Sequence, residues 1–584
     1  MTSAQRQRLV RRRLRVSLVV VMAMFCLFGL RLFQIQGIDS TAYAAMAVTA
    51  GTDTTQIPAP RGRILDRNGA ELATSIDAVT LTADPKLTSA SAPQIARVLV
   101  EHVGDEGDYF DLIEKLRRPD TRFVYLQKHV PAWVAAKALE ALRKDQLPGV
   151  FTQKETIRSY PGGKLAANLV GYTNGEGKGV AGIEGQYDEE LTGQDGSRTD
   201  EVSVSGQRIP MSDSAVVDMV PGRDVTTTID RDLQWYADKR LAEAVRQSSS
   251  DWGLAITMDV KTCQIVQMSQ APTFDADDKT GMTDANTVSR AVQNVYEPGS
   301  VMKTITMAAL ADQGKIAADT PIVVPPSMTI DKFRIGDYWE HGTLHLTAAG
   351  VIAKSSNLGT IVAAEQMSDA TMYKYFHRFG FGQKTGVNLP GESQGILKPA
   401  AEWTKANHAT ISFGQGVSVT AMQMMRAVGA IANGGVMCDP SVVSSVADED
   451  GKQQEVSDGG RQRVVSKGAA RVVTRMMEAV TAPDGTAPAA AIDGYRVAGK
   501  TGTAWRVDPT TGRYIRGQNT VSFMGFAPAD DPRFLTYIVL DKPYSSAGGG
   551  STAAPVFHDV MSMALERFGV APTGAKVPDV PQEW

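Results

Sequence analysis

The sequence predicts an α+β protein with one N-terminal transmembrane helix, a β-rich middle region, and a large C-terminal unit whose sheet is built from chain-distant strands around a helical block. Three observations carry this expectation. Val16 to Leu30 is an uncharged apolar run, VSLVVVMAMFCLFGL. Residues 151–228 are glycine-punctuated and rich in strand formers, ending in VTTTID at 225–230. Strand-like halves at 253–269 are followed by long helical stretches, and strands return at 494–506, 520–527 and 534–541. That order closes a sheet late in the chain around the helices.

The apolar run sets the topology. Arg31 interrupts it and LFQI follows, so a helix of roughly 20 residues spans a bilayer with flanking arginines reaching the interfaces. Residues 1–15 carry six arginines and no acid. The asymmetry predicts a cytoplasmic tail over 1–15, a transmembrane helix over 16–36 and an exported remainder. The rival reading is a cleaved signal peptide, but the small residues of AYAAM (42–46) lie well beyond the apolar run. The formal charge of −4 becomes −10 once those arginines are set aside. The mildly acidic bulk offers no nucleic-acid surface. Cys26 sits in the span. Cys263 and Cys438 are expected as two separate buried or partly buried thiols, with pairing left open in an oxidising compartment.

Residues 37–56 read as a polar connector, opening a second region over 37–232. In PAPRGRILDRNGAELA (58–73), DRNG is a turn signal between apolar runs and predicts a hairpin. WVAAKALEALRK (133–144) has helical periodicity. A helix starts near Asp230, and the largest unit runs over 233–568. A Pro- and Gly-rich tail at 569–584 is expected to be loose.

The chemistry is concentrated in three short motifs. In YEPGSVMKTITMAALADQG (296–314), Pro298 and Gly299 favour a turn, Ser300 opens an apolar helix, and Gly314 can end it. Ser300 and Lys303 stand at i and i+3, on one face of the first turn. A serine hydroxyl needs a base to become a nucleophile, and Lys303 can serve only as a neutral amine, which burial and a second cation would favour. The helix N-terminus adds N–H donors for a developing oxyanion. KSSNLG (354–359) supplies Ser355-Ser356-Asn357, and VAGKTGTAW (497–505) supplies Lys500-Thr501-Gly502. Each is common alone. In the order S-x-x-K, S-x-N, K-T-G, on a helix start, a turn and a strand, they are specific.

With these residues the chain resembles the class B penicillin-binding proteins, monofunctional peptidoglycan D,D-transpeptidases, and most of all the division-type group. RGRILDRNG (61–69), GVAGIEGQYDEELTG (179–193) with Glu184 and Tyr187, VYEPGSVMK, SSN, FGQG (413–416) and KTGTA follow in family order. The resemblance implies an elongated pedestal over 37–232 and a transpeptidase domain with an antiparallel sheet flanked by helices plus an all-helical block. It implies that Ser300 attacks the penultimate D-Ala carbonyl of a peptidoglycan stem peptide, with Lys303 as base. Ser355 would relay a proton to the leaving amine, and Lys500 would supply positive charge beside it. Asn357 would bind the substrate backbone, and Thr501, Gly502 and Thr503 the substrate carboxylate end. The N–H groups of Ser300 and Thr503 would form the oxyanion hole. β-Lactams would stall as acyl-enzymes. A multi-span glycosyltransferase of the SEDS type and other division proteins are the implied partners.

Several patterns are set aside. GYRVAGKT (494–501) fits a P-loop by letter, but Gly502 follows at once and the segment continues as a strand on the exported side, so no nucleotide is expected. GKGVAG (177–182) lacks a βαβ context. His341 and His345 lack a third ligand, so no metal and no cofactor are expected. The methionines of AMQMMRAVGAI (421–431) read as core packing. Arg61 and Arg63 fit a hairpin stapled by local charge pairs as well as they fit a partner-binding role. A β-lactamase, and a β-lactam sensor or non-catalytic scaffold of a cell-wall complex, remain the alternative functions.

Overall fold

The computed structural model describes residues 3–38, 51–104, 109–202, 209, 214–456, 459–508, 510–544 and 548–584. Two compact units are present. The first comprises Met1–Ala59, Thr152–Glu155 and Gln194–Val220. Its helix Ser3–Phe33 is followed by a π-turn, and the apolar stretch Arg11–Gln36 contains an 18-residue segment with a mean hydropathy of 2.4 and no buried residues. The exposed apolar side chains suit lipid rather than a protein core. Part of the expected connector is instead a strand. Thr52–Ile57 pairs antiparallel with Gly196–Glu201, which pairs with Ser214–Val217. Its β-branched threonines favour the extended chain once a partner strand is available. Residues 39–50 lie outside the described residues.

The second unit holds Pro60–Phe151, Thr156–Gly193 and Pro221–Trp584. It opens with the expected hairpin, Ile64–Leu65 against Glu71–Ala83. Asp66 shapes the turn by accepting from the N–H groups of Asn68 and Ala70, both at 2.8 Å, and Gly69 takes φ 87°. The expected helix at 133–144 is Ala132–Lys144. It packs with Ala92–Val103 over a core of its own, built on Leu81, Ile95, Leu99, Leu126 and Ala138.

Arg61 is not stapled within the hairpin. Its guanidinium donates to Glu184 Oε2 at 2.7 Å and to the Glu184 carbonyl at 2.9 Å, and Arg158 donates to Glu184 Oε1 at 2.6 Å. Glu184 is fully buried between them. Arg63 pairs with Asp224 at 2.7 Å and more loosely with Glu71 at 3.6 Å.

The large sheet is antiparallel throughout. Its order is Ile265–Ala271, Trp252–Asp259, Phe534–Asp541, Tyr514–Ala527, Ala498–Val507. The middle strand Phe534–Asp541, FLTYIVLD, is buried at every position, so its apolar residues do not alternate with exposed polar ones. The helix Arg231–Gln247, capped by Asp230 accepting from the Leu233 N–H at 3.0 Å, packs with Ala554–Arg567 against the sheet. The helices Lys303–Asp312, Ala421–Ala432 and Lys467–Glu478 pack on one another in the helical block. Met422, Met424 and Met425 are fully buried there, as the core reading expected.

Two expectations change. Cys263 and Cys438 form a disulfide with Cα atoms 6.2 Å apart. The turn carrying Cys263 (φ 61°) lies beside the chain after Cys438, where the Ser441 N–H donates to the Cys263 carbonyl at 3.1 Å. The end of the tail is also not loose: the Thr347 N–H donates to the Gln582 carbonyl at 2.9 Å, and Leu346 bridges to Glu583.

Candidate active site

Ser300 sits in a tight 3₁₀ turn, Gly299–Met302, that feeds directly into the helix Lys303–Asp312. The sequence suggested a single helix from Ser300. The tighter first turn arises because the chain arrives through Pro298 and through Gly299 at φ 54°. A Cβ on Gly299 would stand 2.6 Å from the Thr503 carbonyl, so only glycine lets the K-T-G strand lie against the nucleophile turn. Gly502 makes the same approach from the other side: a Cβ there would overlap Ser522 Oγ and stand 3.0 Å from Val301 Cγ2. Gly314 ends the helix as expected, at φ 69° with its N–H on the Ala311 carbonyl at 3.0 Å.

Two fully buried lysines meet at one hydroxyl. Lys500 Nζ donates to Ser355 Oγ at 2.8 Å, to the Thr501 carbonyl at 3.0 Å and to Thr501 Oγ1 at 3.1 Å. Lys303 Nζ lies 3.4 Å from the same Ser355 Oγ and donates to the Ser355 carbonyl at 2.5 Å. Ser355 holds φ 58°, a left-handed conformation rare for serine, which turns its hydroxyl between the amines. Burial pushes the Lys303 amine down from 10.5 to about 7, against the pull of Asp337. Burial, and then the neighbouring Lys303, push Lys500 well down too. Among the described residues the Ser300 hydroxyl has no hydrogen-bond partner, so Lys303 is held by Ser355 rather than by Ser300. Thr503 is exposed on the strand, and Thr501 Oγ1 also faces Thr486 Oγ1 at 3.3 Å.

The arrangement agrees with known proteins along nearly the whole chain. Residues 253–562 match the penicillin-binding protein transpeptidase domain, and residues 56–227 the penicillin-binding protein dimerisation domain. The penicillin-binding protein PbpB of Mycolicibacterium smegmatis is 34% identical over 94% of this chain and 89% of its own length. The chain belongs to the class B penicillin-binding proteins. The peptidoglycan D,D-transpeptidase FtsI of Escherichia coli K12 is 31% identical, with 88% of this chain and 85% of that protein covered. Among solved structures, a peptidoglycan synthetase from Bifidobacterium adolescentis aligns with a TM-score of 0.72 at 32% identity. It covers 91% of this chain and 100% of that one. Penicillin-binding protein 3 of Mycobacterium tuberculosis in complex with aztreonam aligns with a TM-score of 0.71 at 30% identity and the same coverage.

In this penicillin-binding protein, the motifs account for only part of the site. Asp337, whose side chain is fully buried, accepts from the Asn357 N–H at 2.5 Å, the Leu358 N–H at 3.1 Å and Ser356 Oγ at 2.6 Å. His341 Nε2 lies 3.1 Å from the same carboxylate, so this histidine belongs to the S-x-N loop. Asn357 Nδ2 donates to the Gly336 carbonyl at 3.2 Å. Glu297, three residues before Ser300, accepts from the Gly416 N–H at 2.7 Å and from Tyr514 Oη at 3.0 Å. It thereby joins the nucleophile turn to the FGQG loop and to the strand beside K-T-G. Burial raises its pKa. No local signal marks Asp337, which lies in a polar, aromatic loop twenty residues upstream of its partners.

Proposed function

We propose that this penicillin-binding protein is a serine-type D-Ala-D-Ala transpeptidase that crosslinks peptidoglycan stem peptides in septal wall synthesis. The observation that carries the reading is the convergence of Lys303 and Lys500 on Ser355 Oγ beside the Ser300 turn. A lysine with a pKa of about 7 is a competent base at neutral pH. Ser300 Oγ bonds to the penultimate D-Ala carbonyl carbon while its proton passes to the neutral Lys303 amine. The N–H groups of Ser300 and Thr503 stabilise the oxyanion. Collapse breaks the amide bond, and the terminal D-Ala leaves after its nitrogen takes a proton through Ser355, with Lys500 behind it. Thr501, Gly502 and Thr503 bind the departing carboxylate end, and Asn357 the stem backbone. An amine of a second stem peptide then displaces Ser300, forming the crosslink. A β-lactam opens at the same serine, but its leaving group stays tethered, so the acyl-enzyme persists.

The apolar N-terminal helix supports a single-pass anchor with a cytoplasmic N-terminus and an extracytoplasmic catalytic domain. A SEDS-type glycosyltransferase and other division proteins are its proposed partners. Supplied with nascent glycan strands, the purified chain should release one D-Ala per crosslink, and Ser300→Ala should do neither. Turnover of penicillin without crosslinking would favour a β-lactamase, and inactivity of a folded parent would favour a scaffold.

A further inference from the structure

The segment Pro581–Trp584 lies along the strand that leads into the active-site turn. Leu344–Thr347 pairs on one edge with Pro321–Val324. Along its other edge the Thr347 N–H donates to the Gln582 carbonyl at 2.9 Å, and the Trp584 N–H to the His345 carbonyl at 3.2 Å. The Trp584 ring packs edge-on against His345, with centroids 5.0 Å apart. Thr347 is the hinge of this contact. Its hydroxyl donates to the Pro581 carbonyl at 2.6 Å and accepts from the Gly350 N–H at 3.0 Å, so the atom that caps the next helix is also the atom that holds the segment.

That helix, Ala348–Ala353, is buried at every residue and ends directly in the catalytic turn. The Ser355 N–H closes on the Ile352 carbonyl at 3.2 Å, and the Ser356 N–H on the Val351 carbonyl at 2.9 Å. The helix has a second contact with the segment: a Cβ on Gly350 would overlap the Gln582 carbonyl. Glycine here is not demanded by its own backbone, which is helical, but by the approach of residue 582.

We propose that Pro581–Trp584 is a positioning strap that fixes the helix Ala348–Ala353 and thereby sets Ser355 Oγ between Lys303 and Lys500. The proposal rests on the transpeptidase reading and adds a remote element to its site. Residues 571–577 are exposed and join the strap to the body of the protein. The strap is therefore held by a few edge hydrogen bonds, which a competing strand or proteolytic trimming could remove. Its loss leaves the lysines and Ser300 in place but lets the Ser355 turn drift, and shifts on the order of 1 Å at a reacting group cost up to about a hundredfold in rate.

The test uses the full-length protein in detergent and a fluorescent penicillin. Acylation is resolved into the affinity of the first complex and the rate of the covalent step. Deletion of residues 581–584 should slow the covalent step about tenfold or more, leave the affinity near parental and shift the melting temperature little. Millimolar Val-Pro-Gln-Glu-Trp peptide added in trans should restore much of the rate, and a scrambled peptide should not. A covalent step within twofold of parental would overturn the strap, as would a slow step that the peptide cannot rescue and that matches a lost folded fraction. Should the deletion fail to fold, Gly350→Ala and Thr347→Val test the same contact in the intact chain, and a folded variant with the parental rate overturns it. Ser300-dependent labelling of the parent keeps the two claims apart, because its absence would refute the transpeptidase reading itself.

Discussion

Replacing Lys303 with methionine should abolish acylation and stabilise the fold, by an amount that shrinks as pH rises. The amine is fully buried, and burial lowers its pKa from 10.5 to about 7. The unfolded chain therefore binds a proton that the folded chain sheds between about 7 and 10.5, and parental stability climbs with pH across that window. At pH 6 both states are protonated and the buried charge costs about 5 kcal/mol. At pH 9 the remaining difference is about 2 kcal/mol. The variant also leaves the Ser355 carbonyl without the 2.5 Å bond from Lys303, a loss of about 1–3 kcal/mol. The net gain is then about 2–4 kcal/mol at pH 6 and close to zero at pH 9. Urea unfolding of parent and variant at the two pH values measures it. Equal destabilisation at both pH values, or labelling by penicillin at the parental rate, would refute the assignment of Lys303 as a desolvated base.

Asp337→Asn keeps the size of the group but leaves one oxygen where two accept now, so it cannot serve both Ser356 Oγ and the N–H groups of Asn357 and Leu358. Acylation should fall about tenfold, and removal of the negative charge should move the acid limb of its pH profile lower, as stopped-flow labelling across pH 5–9 would reveal. Arg61→Ala leaves Glu184 buried with Arg158 alone. It should cost about 3 kcal/mol in denaturant unfolding while retaining Ser300 labelling in the molecules that remain folded. The double change Cys263→Ala, Cys438→Ala should cost about 2–4 kcal/mol under oxidising conditions. It should abolish the difference that a reducing agent makes to the parent's melting temperature, and a parental melting curve would contradict the disulfide.

The legible parts of this protein were those written locally. Asp230 caps its helix by accepting from Leu233 three residues on, and Asp66 and Gly69 build their turn from adjacent residues. The five strands of the large sheet fall on the stretches that read as strands, although Tyr514–Ala527 starts earlier than its apolar half at 520–527, and the three catalytic motifs each occupy one short segment. What the sequence did not show was set by distant packing. The need for glycine at position 299 comes from the approach of the Thr503 carbonyl, some two hundred residues away. Cys263 and Cys438 are separated by 175 residues, and the Thr347 hydroxyl meets the Pro581 carbonyl 234 residues on. Asp337 is illegible for a related reason: a carboxylate in a polar loop reads as solvated until the turn it caps is folded over it.

Mass mapping of the penicilloyl adduct on the full-length protein, at neutral pH and over hours, beside Ser300→Ala, decides whether Ser300 is the nucleophile. One adduct per chain is expected on the peptide bearing Ser300, stable over that time and absent from the variant. An adduct on another residue, or rapid loss of the label with turnover of the drug, would contradict it.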